Sequence, residues 1–324
     1  ALDKYEVMER CQAAGVRAMP VQSNEDRVER DPQLRHRGMY LEMEHAELGA
    51  KKVQNAPFKL SESPAVNSRP GPLIGEHNQE VYEGLLGLSH QELVAGYDDE
   101  ILWPKSLNRY PYMDEMLQNG PIGKGADHLA LQGHEASSPS GKAAEPSTDT
   151  VALGPLAGLR VLELADEKGQ WCGKLMADMG AEVIKIEPPV GEETRSVGPF
   201  YQDVPHREQS LSFWHYNTSK RGITLNLETE DGRGLFRRLA ATTDVILETF
   251  APGYLPSLGL GYEDLKEQNH RLIMCSLTSF GQTGPWKDYL DSDLLHLAAG
   301  GQMGCCGYDE EDVPGAPPIA PGGG

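Results

Sequence analysis

Three loops in the second half of the chain carry side chains of the kind that hold ligands. Glu187-Pro-Pro-Val-Gly-Glu-Glu-Thr-Arg195 sets acids and one arginine after a rigid Pro188-Pro189 start. It reads either as a solvated loop or as a ligand-binding edge. Asn217-Thr-Ser-Lys-Arg-Gly-Ile-Thr-Leu-Asn-Leu227 puts Lys220 and Arg221 side by side. Two adjacent cations suit phosphates, but in an acidic chain pairing with carboxylates is their commoner fate. Glu248-Thr-Phe-Ala-Pro-Gly253 is the third loop. The rest of the chemistry is sparse. Ala165-Asp-Glu-Lys-Gly-Gln170 stands where a dinucleotide site would have G-x-G-x-x-G, which disfavours a nicotinamide oxidoreductase. No phosphate-binding P-loop, G-x-S-x-G nucleophile turn or H-E-x-x-H motif occurs. His134-Glu135 is the nearest approach to a metal ligand set, and a solvated pair explains it, so no metal is expected. Cys305-Cys306 lies in a glycine-rich turn without an adjacent base or metal-ligand set.

The elements that must position these loops alternate in type. Residues 158–164 read as a buried strand, Trp171 to Met179 as a helix ending at Gly180, and Glu182 to Glu187 as the next strand. Strands over 222–227, 244–250 and 271–277 are separated by helices over 231–241 and 262–269. Strands alternating with helices predict an α/β fold: a Rossmann-like parallel sheet with helices on both faces, whose ligands bind beyond the carboxyl ends of the strands.

The first hundred residues differ in texture and predict a smaller α+β unit. Tyr5, Met8, Cys11 and Ala14 have helical spacing, with Gly15 as the cap, and a second, polar helix opens at Asn24. Met39 to Glu44 alternates as a strand, Lys51 to Leu60 reads as its partner, and residues 45–49 supply the turn. Residues 75–88 read as a helix, and Ser89-His-Gln-Glu92 as the capping motif of another. Between the halves, residues 104–150 read as a linker, flexible from about 119, where Gly, Ser, Ala and Pro replace large apolar side chains.

The chain has 324 residues and a formal net charge of −20, from 49 acids against 29 bases. Such a charge is repelled by phosphate backbones and no basic patch offsets it, so nucleic acid is not an expected partner. No apolar run approaches the ~20 residues of a spanning helix, and the opening ALDKYEVMERCQ is charged, so neither a membrane nor a signal peptide is expected. Five scattered cysteines fit reduced thiols in a cytoplasmic protein.

Taken together, the second half resembles the class III CoA-transferase (CaiB/BaiF) family. GPLAGLRVLEL, ADMGAEVIKIEPPVGEETR, NTSKRGITLNLETEDGRGLFRRL and DVILETFAPGYLPSLGLGYEDLKEQNHRLIMCSLTSFGQTGP look like its successive strand–helix units over residues 155–320. CQAAGVRAMPV, DPQLRHRGMYLEMEHAELG and GEHNQEVYEGLLGLSHQEL, in residues 2–95, resemble the family's carboxyl-terminal third. The order is inverted, which suggests a fragment of a tandem fusion: the tail of one copy over 1–103, a linker, and the head of a second over 151–324.

The resemblance implies an acyl-CoA:carboxylate CoA-transferase. An aspartate of the family attacks the acyl-CoA thioester, giving a mixed anhydride and then an aspartyl-CoA thioester that passes CoA to the acceptor acid. That aspartate would fall a few residues after Pro317-Pro318-Ile319, so no residue here is assigned as nucleophile. CoA or acyl-CoA is then a substrate and no cofactor is permanently bound. The partners are acyl-CoA and a small carboxylic acid, within an intertwined homodimer or an intramolecular pseudo-dimer of the two copies. Racemase or lyase chemistry on an acyl-CoA, and a non-catalytic structural half, are the alternatives. By the same resemblance, the CoA contacts are Leu225, Asn226, Leu227 and Glu228, with Thr249, Phe250 and Ala251, and Ser292 and Asp293. Pro188 and Ser257 stand where some members place CoA-binding arginines, which implies weak CoA affinity. The helices of residues 75–103 are expected to belong on a large domain outside the chain, leaving Val81, Leu85 and Leu86 without a partner.

Overall fold

The computed structural model describes residues 2–102, 154–307, 313–317 and 319. The expected linker at 104–150, with His134-Glu135, lies outside the described residues. Helix α1, Lys4–Ala13, is N-capped by Asp3, whose carboxylate accepts from the Tyr5 N–H at 2.9 Å. Gly15 beyond it has φ +77°. The polar second helix is two short pieces: a π-helical turn over Asp26–Arg30 and α2, Pro32–His36, where Asp31 caps a helix with proline at its start. Strand β1, Tyr40–His45, pairs antiparallel with β2, Gly49–Gln54, through a turn in which Gly49 takes φ +65°. The second strand therefore stops six residues short of Leu60. Helix α3 covers only Asn78–Tyr82, and α4, His90–Asp98, opens with the Ser89–Glu92 capping box.

In the second half come β3 (Arg160–Leu164), α5 (Gln170–Asp178), β4 (Glu182–Glu187), α6 (Leu211–Tyr216), β5 (Arg221–Thr224), α7 (Glu230–Ala240), β6 (Val245–Glu248), α8 (Tyr254–Ser257), α9 (Tyr262–Leu265), β7 (Ile273–Ser276) and α10 (Asp293–Ala299). The five strands are all parallel, in the order β5-β4-β3-β6-β7. Alternation along each strand divides the core. Leu162, Leu164, Ile184, Ile186 and Ile246 face α7, α8 and α9, while Val161, Val183 and Leu247 pack with Ala177 of α5. Among the described residues no helix is long and apolar enough to cross a membrane.

The amino-terminal helices do not wait for an absent domain. Val81, Tyr82, Leu93 and Leu102 are each fully buried in the core of this same sheet, and Leu85 and Leu86 pack against it. The polar groups of β5 explain the docking. As an edge strand it has backbone groups to satisfy, and residues 69–101 satisfy them. His77 N donates to Gly222 O at 2.9 Å, the Asn78 amide oxygen accepts from Thr224 N at 2.8 Å, and Tyr82 O–H donates to Thr224 O at 2.7 Å. Just beyond the strand, Asn226 N donates to Ile101 O at 2.6 Å.

Candidate functional site

The strand order reverses on either side of β3, so the crevice outside β3 and β6 is the switch point where open α/β sheets bind ligands. It is partly closed. The Thr249 hydroxyl accepts from Asp166 N at 2.9 Å, and Gly169 is packed so that a Cβ there would lie 2.7 Å from Ala165 and 3.0 Å from the Thr249 methyl. Two cavities flank this closure and share Phe250.

The first cavity, about 230 Å³, lies over the ends of β3, β4 and β5. Its walls are Leu164, Ile186, Pro188, Leu225, Leu227 and Phe250, with Glu187, Asn226, Glu228 and Tyr254 as its polar groups. Residues 225–228 are not strand residues: β5 ends at Thr224, and they form the turn before α7, where Asn226 O accepts from the hydroxyl of the helix cap Thr229 at 3.0 Å. The Tyr254 hydroxyl donates to Glu228 at 2.5 Å, and burial together with that carboxylate pushes its pKa up to about 12.

The second cavity, about 320 Å³, is lined by Thr249, Phe250, Ala251, Lys168, Thr278 and Phe280 among others. Asp291 lines it too, whereas Ser292 and Asp293 begin α10, with the Ser292 side chain capping Leu295 N. The chain thus brings Leu225–Glu228 and Phe250 together in one cavity and Thr249–Ala251 in the next, with Ser292 and Asp293 outside both linings. Leu164, Ile186 and Tyr254 were not singled out in the sequence. For the first two the signal was available, since both sit at or near the carboxyl end of a buried strand.

Beneath the cavities runs a buried ionic layer on the α5 face. Lys220 is inaccessible and donates to Glu163, Gln170 O and Asn217, each at 2.9 Å. Burial brings its pKa down to about 8 against the pull of Glu163. Arg221 pairs with Glu182 at 2.6 Å and with Glu80 at 3.0 Å. Both cations of the Lys-Arg loop are therefore committed to acids. The Glu187–Arg195 loop is not merely solvated: Arg195 is 1% exposed, forks onto Glu187, and reaches Glu208 at 2.6 Å and Pro72 O at 2.9 Å. Burial favours a neutral Glu187, but Arg195 outweighs it and holds the carboxyl below the usual range. All five cysteines are free thiols, with Cys305 exposed. Among the described residues no group of three or more His, Cys, Asp or Glu could hold a metal ion.

This sheet, its switch-point cavities and its strand-end loops belong to a known family. The chain is a member of CoA-transferase family III, whose model matches residues 1–78 and 156–322. It is 41% identical over 158 residues to the succinyl-CoA:(R)-benzylsuccinate CoA-transferase subunit BbsE of Thauera aromatica, covering 49% of this chain and 38% of that protein. It is 43% identical over 157 residues to the succinate–glutarate CoA-transferase of Agrobacterium fabrum, covering 47% of this chain and 39% of the relative. A crystal structure of a CAIB/BAIF family protein from Brucella suis matches at 43% identity and a TM-score of 0.46, over 52% of this chain and 44% of that one. The matches to the two relatives thus span about two-fifths of those proteins' own length.

Proposed function

We propose that this chain is part of an enzyme that transfers CoA between an acyl-CoA and a small carboxylic acid through an aspartyl intermediate. The observation that carries this is the cavity at the ends of β3, β4 and β5, which gathers Leu225, Asn226, Leu227, Glu228 and Phe250 at the ligand-binding edge of a family III sheet. Its apolar walls and its size suit a flat ring such as adenine. In this reading Phe250 and Tyr254, 4.7 Å apart between ring centres, form one side of the nucleoside slot. The neighbouring cavity, with Thr249 and Ala251, takes the chain that leads toward the thioester. The names of the relatives, with succinyl-CoA, benzylsuccinate and glutarate, support dicarboxylic acids as the substrate class.

The proposal includes a tandem arrangement of copies around the segment at 104–150, on either side of which the family model matches residues 1–78 and 156–322. In that arrangement the second copy works with a neighbouring copy as a homodimer or an intramolecular pseudo-dimer. Titrating CoA into the purified chain by calorimetry tests the binding half of the proposal. Weak saturable binding that is lost on Phe250→Ala is expected, and no binding at millimolar CoA would refute it. Transfer from succinyl-CoA to glutarate, followed by chromatography of the thioesters in the longest natural form of the protein, tests the reaction.

A further inference from the structure

We propose that the nucleoside cavity takes a ribose with free hydroxyls, so that the 3′-phosphate of CoA contributes no affinity; the inference rests on the CoA reading above. No lysine or arginine lines this cavity among the described residues, and two of its polar groups, Glu187 and Glu228, are carboxylates. The nearby cations are committed elsewhere. Arg195 is buried against Glu187 and Glu208. Arg233 donates to Leu227 O and Glu228 O, each at 3.0 Å, and to Glu230 at 2.9 Å. The Asn226 side chain is turned to backbone partners, donating to Glu100 O at 3.3 Å and accepting from Glu228 N at 3.1 Å.

Glu228 is exposed, and the hydrogen bond it accepts from the Tyr254 hydroxyl leaves most of a carboxylate's acceptor capacity. A ribose hydroxyl donates to such a group, whereas a phosphate offers only acceptors and like charge. Nucleotide-binding sheets make the same division, with an acid on ribose hydroxyls and an arginine where a phosphate must be accommodated.

The test is calorimetric titration of the 324-residue chain with CoA and, separately, with dephospho-CoA. Dephospho-CoA is expected to bind as tightly as CoA, within about threefold, or more tightly. Glu228→Gln should shift the ratio of the two dissociation constants toward CoA. CoA binding about tenfold tighter than dephospho-CoA would overturn the inference while leaving the CoA reading intact. A ratio unmoved by Glu228→Gln would overturn Glu228 as the discriminating group. Failure of both ligands to bind would overturn the CoA reading and the inference with it.

Discussion

Arg195 and Glu187 form a two-point ion pair inside the protein, with guanidinium nitrogens 2.6 and 2.7 Å from the two carboxylate oxygens. The pair closes the end of β4 under the cavity lined by Leu164, Ile186 and Phe250. Through Glu208, which accepts from Ile74 N at 3.0 Å, and through Pro72 O it ties that strand end to the amino-terminal segment. The guanidinium also lies 3.7 Å from the centre of the Phe213 ring.

Removing Arg195 leaves two buried carboxylates without their cation. Arg195→Met should cost about 3–5 kcal/mol in urea unfolding. Arg195→Lys should recover only part of this, because an ammonium cannot make the fork. Near-neutral stability of the methionine variant would show that the pair is not the clamp described.

Gly173 lies in the middle of α5, where exchange for alanine ordinarily stabilises a helix by about 1 kcal/mol. Here the sign reverses. A Cβ at 173 would come within 1.6 Å of the Glu163 carboxylate and 3.3 Å of the Lys220 ammonium. Overpacking of this kind costs about 1–3 kcal/mol, and displacement of the ion pair adds to it. Thermal unfolding of Gly173→Ala should show a lower Tm, and an unchanged or raised Tm would contradict the packing of α5 on β3.

Leu93 is fully buried on α4, and the Tyr82 hydroxyl is bonded to β5. Leu93→Ala should destabilise the chain by about 2–5 kcal/mol. Tyr82→Phe should cost about 1–3 kcal/mol, because Thr224 O loses a buried donor. Hydrogen exchange supplies the sharper readout: amides of β5 and β4 should lose protection in Leu93→Ala. Loss of protection confined to the amino-terminal residues would mean that the two halves unfold independently.

His45 is buried beside Trp214, and desolvation, aided by the Arg195 charge, pushes its pKa down to about 4 from 6.5. His77 is likewise pushed down, chiefly by burial, to about 3. A base whose pKa is lowered on folding binds fewer protons in the folded state, so stability rises with pH through that window. The contribution is complete above 6.5 and is lost as pH falls toward 4 for His45, at up to about 1.4 kcal/mol per pH unit. Unfolding free energies measured from pH 7 downward should flatten by up to one proton in His45→Gln. An unchanged slope would mean that His45 titrates freely.

The sequence by itself determined the strand–helix alternation, because buried parallel strands are short apolar runs and their punctuation is local chemistry. Glu182–Glu187, the Ser89 cap and the turns at Gly15 and Gly180 lie where the residues placed them. It also marked 249–251 as part of a loop after a strand, since every parallel strand presents its carboxyl end to one side of the sheet. It ran the preceding strand on to 227, whereas β5 ends at Thr224 and 225–228 form the turn before α7. Tertiary structure decided what those loops and charges do. Glu163, Lys185 and Lys220 look like surface residues in a one-dimensional reading, and only packing under α5 makes them partners in a dry layer. The partner of Val81 was equally invisible, because a helix's pattern states that a face is apolar but not which sheet will cover it. The Thr249 hydroxyl belongs to Asp166 N across the switch point, a contact 83 residues apart in the chain that no local spacing encodes.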